Sequence, residues 1–543
     1  MRRELLKPMP VRQSPEHIHA PVPKHQTLIH ALGLTLSIFI YAFFVRFYFQ
    51  FPSTVEDSYI VFRYASHFAT GHGLSWNVGL PHDQGMTGLA WSTIIGLAVR
   101  ITGKDPAILS GYLGIVFGAI TILFLYATLI RLLPLGKSYL ALVGAFALAL
   151  TPIFQRHSAN GLETILAFLA FTLTVYLATI LPTSSLVKAV AITALASGVV
   201  FLIRPDAPAF TLTVLCATIF LDTRKIGWVA TAAIAAVGFV GIETAVMRSY
   251  FTTALPLPFY IKVSLNELLH THGMLQKIIP WVLSFQLGFF SAVSIWLGFI
   301  LLVVVRGLRL PPRALSILYG AVVFYLYLFT VVPVMNFEMR YQAPLFVPLI
   351  CVGTVAISLL VETSERPTRN QRIALAGLCG VVILASFGAA SQLKAAVIEL
   401  HGDHLAVEPV GKRLHLFPGV RIASTEAGML AYYEDGTFLD LVGLNNTFVA
   451  LNHDRPNYGA LLENYLSSDF GYPDVYVRKA SETASYADLC TYPRIIGQYK
   501  DLGALKGSPV YSLFLLRTSP QYSKLQEALT EFTVPASQAD PCK

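Results

Sequence analysis

Between Leu28 and Ala390 the chain repeats one theme, apolar runs separated by short polar loops. A bilayer core about 30 Å thick is crossed by roughly 20 residues of helix, so each such run is a candidate span. The runs lie at about 28–51, 109–133, 139–155, 162–181, 187–203, 206–221, 226–247, 281–305, 314–333, 341–361 and 372–390. No soluble core uses so many. Composition agrees, with 55% hydrophobic and 13% charged residues and a mean hydropathy of +0.60. The expected fold class is a polytopic α-helical membrane protein of about eleven spans, followed by a soluble domain.

The loops set the expected orientation. Arg131/Lys137, Lys188, Arg224/Lys225, Arg306/Arg309/Arg313 and Arg366/Arg369/Arg372 fall on one side if the apolar stretch Gly88–Val99, only a dozen residues long, stays outside the membrane. Counting that stretch as a span reverses nearly all of them. The expected organisation is a cytoplasmic tail (1–27), a membrane domain (28–390) whose first outer loop spans 52–108, and an extracytoplasmic domain (391–543). Arg2, Arg3, Lys7, Arg12 and Lys24 precede the first run without a small-residue cleavage site, which reads as a retained first helix. The net charge of +8 resides in the short loops, because the chain after Ala390 has 13 Lys/Arg against 17 Asp/Glu. That distribution argues against nucleic acid as a partner. The tail alternates strand-like pieces (421–424, 438–441, 476–477, 510–515) with helix-like ones, as an α/β or α+β domain does. Its two cysteines, Cys490 and Cys542, are expected to form a disulfide in an oxidising compartment.

The first loop carries the most unusual chemistry. Glu56-Asp57-Ser58-Tyr59-Ile60-Val61-Phe62-Arg63-Tyr64-Ala65 places two carboxylates and a guanidinium at the membrane surface, where charge must be paired, hydrated or used. Residues 57–70 alternate apolar and polar faces at helical spacing and are expected to lie on the membrane surface, as is 88–99. Asp57 or Glu56 could take a proton from an acceptor hydroxyl, or Asp57 could simply cap the helix. Arg63 could hold a phosphate, pair with the acids, or snorkel. Glu163, opening a span, could serve a site or cap its helix. Arg204, before Pro205-Asp206, suits bidentate phosphate binding, and Lys262 and Arg340 are further phosphate ligands or interface anchors. His72, His82 and His157 could complete a divalent-cation site with Glu56 or Asp57, though lone loop histidines are usually unliganded. No dinucleotide fingerprint, P-loop, HExxH, CxxC or GxSxG occurs.

Taken together, the 56–65 stretch, Gly71-His72-Gly73-Leu74-Ser75-Trp76-Asn77 and Gly85-Met86-Thr87-Gly88-Leu89-Ala90-Trp91 resemble the first outer loop of GT-C membrane glycosyltransferases. The nearest resemblance is to the branch containing cell-wall β-arabinofuranosyltransferases. Gly161-Leu162-Glu163-Thr164, Ile203-Arg204-Pro205-Asp206, Leu257 to Lys262, Arg340-Tyr341-Gln342-Ala343-Pro344, Thr425-Glu426-Ala427-Gly428 and Asp440 to Asn445 follow in the same order. The resemblance implies an inverting transferase of a bacterial plasma membrane. Its donor is a polyprenyl-phosphate sugar, with decaprenyl-phosphate arabinofuranose the sugar of that branch. Its acceptor is a glycan, lipid-linked or protein component of the cell envelope. The implied site comprises Asp57 and Glu56 as catalytic acids, with Asp57 favoured as the base, and Arg63, Tyr64, Glu163, Arg204, Lys262 and Arg340 as substrate ligands. No cofactor follows, and a divalent cation stays open. Two departures stand out: Glu56-Asp57 replaces the usual aspartate pair, and Leu257-Pro258 replaces the usual Pro-Asn-Thr. A transporter or flippase of lipid-linked sugar is the competing class, disfavoured because the middles of the spans are nearly free of charge.

The orientation is directly testable: a reporter active only outside the cytoplasm, fused after Ala390, should give signal. Signal from a cytoplasmic reporter at that position would overturn the assignment.

Overall fold

The computed structural model describes residues 24–48, 54–262, 287–328, 336–362, 405–479, 488–534 and Cys542. Helices α1 (Lys24–Phe43), α2 (Glu56–Ala69), α3 (Leu89–Thr102), α4 (Pro106–Leu132), α5 (Tyr139–Ala149), α6 (Pro152–Ala159), α7 (Thr164–Ile180), α8 (Leu186–Ile203), α9 (Pro208–Thr223), α10 (Ile226–Tyr250), α11 (Leu257–Lys262), α12 (Leu287–Val305), α13 (Pro312–Tyr327) and α14 (Phe346–Glu362) form a bundle. Among the described residues five helical segments are long and apolar enough to cross a membrane: Gln26–Phe47, Pro106–Leu132, Leu186–Ile203, Ile226–Tyr250 and Ala343–Val361. Four others, Thr164–Ile180, Pro208–Thr223, Val293–Val305 and Pro312–Tyr327, are apolar but shorter. The count among the described residues does not confirm the expected eleven spans, and the run at 372–390 lies outside those residues. Leu32, Phe39, Ile234, Val237, Ile242 and Val246 face outward from α1 and α10, a surface that suits lipid rather than water.

One expected span is broken. Residues 139–155 divide into α5 and α6, which meet at 56°. Pro152 occupies the first turn of α6, and its ring excludes helical geometry at the residue before it, so Thr151 is extended (φ −72°, ψ 114°). The bend turns α6 into the protein, where all eight of its residues are buried.

The 14-residue α2 forms as a helix, and on its polar face Arg63 and His67 are buried, along with Ser58 to Ala65. What covers it is the tail. There a six-stranded mixed sheet has the order β2-β1-β3-β5-β4-β6, with β1 Arg421–Ser424, β2 Thr437–Asp440, β3 Val475–Lys479, β4 Tyr499–Leu505, β5 Ser508–Leu516 and β6 Thr533–Val534. β1 runs parallel to β2 and β3, and the remaining pairs are antiparallel. Strand alternation gives the sheet two apolar faces. Tyr476, Leu439 and Phe514 pack into a core internal to the tail, whereas Val475, Val477, Phe438 and Leu513 join the core shared with the bundle. Cys490 and Cys542 are bridged. β4 and β6 escape the sequence pattern because Tyr499–Leu505 lacks an apolar run and is interrupted by bulges around Gly503, whose φ is 106°.

The tail is fastened to the first loop by buried polar bonds. Arg63, 1% exposed, donates Nε to the Trp76 carbonyl (2.8 Å), Nη2 to Asn77 Oδ1 (3.2 Å), and further bonds to the Ala431 and Gly436 carbonyls. Its guanidinium lies 4.7 Å from the Trp76 ring centroid and 3.9 Å from Glu434. Asn77 accepts from Phe438 N (2.9 Å) and donates to Phe438 O (3.0 Å), closing the free edge of β2 as a neighbouring strand would. Asp83 accepts from both Thr252 and Thr447, linking the first loop to the loop after α10 and to the tail.

Removing one partner of a buried charged cluster costs about 3–5 kcal/mol, because the remaining groups stay desolvated. Arg63→Ala should destabilise the protein by that order, measured by equilibrium unfolding in detergent. A loss below about 1 kcal/mol would show that the weld is not where the stability lies.

Candidate active site

The two neighbouring acids at the start of α2 point to different partners. Glu56 Oε1 accepts the backbone N–H groups of Gly428 and Met429 (3.0 Å), the first turn of the tail helix Met429–Glu434. It therefore caps a helix of another domain, satisfying donors that have no partner within that helix. The fit is close enough to require glycine: a Cβ at Gly428 would lie 2.2 Å from the Glu56 carbonyl oxygen. Burial, with the Glu426 and Asp57 charges nearby, pushes the Glu56 carboxyl well above its ordinary range, against the opposing effects of Lys479 and the Met429 N–H.

Asp57 faces the bundle. Its Oδ2 accepts Arg340 Nη1 at 3.0 Å. Neither acid caps α2 itself, since the N-cap is Val55 with no side-chain bond.

Arg340 leads into a cleft lined by Thr87, Glu163, Arg204, Pro205, Asp206, Pro256, Pro258, Phe259, Tyr327, Arg340 and Tyr341. Arg204 follows directly on α8 and is held by Asp206, two residues on, through a fork of Nε to Oδ1 (2.9 Å) and Nη2 to Oδ2 (2.7 Å). That arrangement leaves the Nη1/Nη2 end of the guanidinium for the cleft, and Nη1 is buried with no hydrogen-bond partner among the described residues. Both guanidinium carbons lie 5.4 Å from the Tyr341 ring centroid, so one aromatic ring carries two cations. Burial alone would weaken each cation. For Arg204 the charge and hydrogen bonds of Asp206, and for Arg340 Tyr341 and Asp57, outweigh it, with Glu163 acting on both, so both pKa values are raised.

The loop carrying Arg340 is strained. Glu338 and Met339 have φ of 54° and 57°, a left-handed pair costing roughly 1–2 kcal/mol per residue. Glu338 is held by Arg156 Nε (2.6 Å) and Asn160 Nδ2 (3.1 Å). Burial by itself would raise the Glu338 carboxyl, but Arg156 and His157 bring it below its ordinary value.

The structure thus brings Glu163, Arg204 and Arg340 to one cleft and sets Asp57 behind Arg340 through their hydrogen bond. It does not bring Arg63 or Tyr64 there. Arg63 is consumed by the weld to the tail, and the Tyr64 hydroxyl bonds to Asp83 O (2.7 Å) and Gly85 N (2.9 Å) within the first loop. Lys262 is the last residue of α11, and its side chain lies outside the described residues. The histidines are not gathered for a cation: His82 packs on Tyr250 (4.4 Å between centroids), His72 lies beside His67, and His157 bonds to the Glu338 carbonyl. Among the described residues no group of three or more His, Cys, Asp or Glu could hold a metal ion. Sequence reasoning gave no role to Tyr327, hidden in an apolar run, to Phe259, three residues before Lys262 in the quoted 257–262 motif, or to Tyr341, whose position beside Arg340 was the available signal.

Residues 399–533 match a family described only as a domain of unknown function, DUF8728. No curated protein sequence matches the chain. The fold as a whole is similar to solved structures. ArnT from Cupriavidus metallidurans bound to undecaprenyl phosphate aligns with a TM-score of 0.56 at 12% identity, covering 91% of this chain and 99% of that one. The Archaeoglobus fulgidus oligosaccharyltransferase in its apo form aligns at 0.54 and 11% identity, over 84% of this chain and 70% of that one. The oligosaccharyltransferase AglB of the same organism, in complex with an inhibitory peptide and a dolichol-phosphate, also gives 0.54 at 11%, over 88% and 73%. At such identities the likeness is one of fold alone.

The division of labour between the two acids has a measurable signature. A charge-assisted hydrogen bond contributes about 1.5–3 kcal/mol, so Glu56→Ala should speed amide hydrogen exchange at Gly428 and Met429 at least tenfold. Asp57→Asn should leave those amides unchanged; equal effects from both variants would erase the distinction.

Proposed function

We propose that the protein transfers a sugar from a polyprenyl-phosphate donor to an acceptor on the outer face of a bacterial plasma membrane, with inversion at the anomeric carbon. The observation that carries this reading is the cleft itself, where Arg204 and Arg340 share the Tyr341 face and Asp57 is hydrogen-bonded to one of them. The fold supports it, since ArnT binds undecaprenyl phosphate and AglB a dolichol-phosphate. Two guanidiniums suit the phosphate, and Pro205, Pro256, Pro258 and Phe259 suit the first apolar units of a lipid. Lys262 is proposed as a third phosphate ligand, and Glu163 as the acid that keeps Arg204 and Arg340 charged and aligned.

In the proposed step an acceptor hydroxyl oxygen attacks the anomeric carbon while Asp57 takes its proton. The bond from that carbon to the phosphate oxygen breaks, and polyprenyl phosphate leaves with its added charge held by Arg204 and Arg340. Arg340 is already paired with Asp57, so a phosphate must compete for it, whereas Arg204 keeps Nη1 without a partner among the described residues. Capture of Arg340 by the donor withdraws the partner of Asp57 and leaves a bare carboxylate beside the reacting centre. Donor binding and base activation are then one event. Arabinofuranose as the sugar rests on the sequence motifs alone, and the acceptor is a cell-envelope glycan, lipid or protein.

Losing a general base typically costs a factor of about 10² to 10⁴ in rate, so Asp57→Asn should retain undecaprenyl phosphate binding yet lose turnover with a panel of labelled polyprenyl-phosphate sugars. Arg204→Lys, which replaces a fork by a point charge, should weaken that binding about tenfold or more. Normal turnover by Asp57→Asn, or wild-type protein that binds no polyprenyl phosphate, would overturn the reading. Translocation of the intact lipid without glycosyl transfer would favour the flippase alternative.

A further inference from the structure

The two halves of the Asp57–Arg340 pair lie far apart in sequence, yet one short segment touches the backbone on both sides. On the Asp57 side, Val55, the residue that caps α2, donates its N–H to the Asn160 carbonyl at 3.1 Å. Next to it, Gly161 (φ 83°) lets α2 approach so closely that a Cβ there would sit 2.8 Å from Phe62 and 2.9 Å from Ser58. On the Arg340 side, the left-handed residues Glu338 and Met339 turn the chain into the cleft. That turn would relax without external support.

The support comes from the same segment. Arg156 and Asn160 both bond to the Glu338 carboxylate, and His157 Nε2 lies 3.1 Å from the Glu338 carbonyl oxygen. The Asn160 amide also reaches His157 Nδ1 at 2.9 Å, so Nδ1 accepts and the ring proton sits on Nε2, donating to that carbonyl. Asn160 Oδ1 accepts from Leu162 N (3.1 Å), which leaves the amide group no freedom to flip. Asn160 therefore uses its carbonyl to place α2 and its amide to place the Arg340 loop. Neither Asn160 nor Glu338 lines the cleft.

We propose that Asn160 and Glu338 are positioning residues that set the separation between Asp57 and Arg340. The catalytic consequence rests on the proposed function, whereas the geometry is testable without any substrate. The experiment is arginine labelling of the full-length protein with phenylglyoxal, read residue by residue by mass spectrometry. In wild type both Arg204 and Arg340 are buried and should react slowly. Glu338→Gln keeps the size of the side chain but faces Asn160 with a second donor, so Arg340 labelling should rise tenfold or more. Arg204, held by its own Asp206, should not change. Asn160→Ala should give the same pattern, and Glu338→Asp, which keeps the carboxylate, should recover part of the protection. With an active donor, kcat of Glu338→Gln should fall further than KM rises.

Wild-type labelling of Arg340 in both Glu338→Gln and Asn160→Ala would overturn the proposal. So would a parallel rise at Arg204 and Arg340, the mark of general loosening. Should Glu338→Gln fail to fold, Asn160→Ala with Glu338→Asp carries the same test. A wild-type protein that binds no undecaprenyl phosphate would sink the proposed function, while the labelling pattern would still decide the positioning.

Discussion

A guanidinium with no exposure to water has to find every one of its partners inside the protein, and at Arg63 that requirement joins two domains. Its partners come from the first loop (Trp76, Asn77) and from the tail (Ala431, Gly436, Glu434), so neither part can satisfy the charge alone. Once they meet, α2 cannot rotate, because turning it would strip Arg63 of its carbonyls and Glu56 of the Gly428 and Met429 amides. Asp57 is one residue from Glu56 and is thereby left facing the bundle. The direction of the Asp57 carboxylate follows from bonds made by its neighbours.

The cleft shows a related economy of charge. Two arginines against one tyrosine ring would repel each other in a dry site, and Asp206, Asp57 and Glu163 prevent that. In the proposed reaction a phosphate meets the unpartnered Nη1 of Arg204 and competes with Asp57 for Arg340, which ties donor binding to what that carboxylate does next.

Much of the site was legible as residue types and little of it as roles. Asp57, Glu163, Arg204 and Arg340 could be picked out because charge at the ends of apolar runs is costly, and the fold brings them together. Arg63 satisfied the same criterion, Tyr64 was named only through the family resemblance, and both serve other ends. Nothing local separates these cases: Arg63 and Arg204 both follow apolar residues near a carboxylate, and what differs is whether the tail or the cleft lies across from them. Glu56 and Asp57 are adjacent, and only the position of Gly428, more than 370 residues later, assigns them. The cover over the polar face of α2 was not legible for the same reason, since a polar helix face looks alike whether water or another part of the chain covers it.

The sequence by itself determined the membrane class, the short helices of the first loop, the strands with apolar alternation and the acids and arginines worth watching, because these depend on periodicity and on the cost of charge near lipid. It also carried the cysteine pair that is bridged. The tertiary structure decided the break at Thr151-Pro152 that buries α6, the bulged β4, the left-handed turn at Glu338-Met339 and the pairing of Asp57 with Arg340. Each of these depends on partners distant in the chain, whose contribution to the free energy exists only after the backbone has brought them within hydrogen-bonding distance.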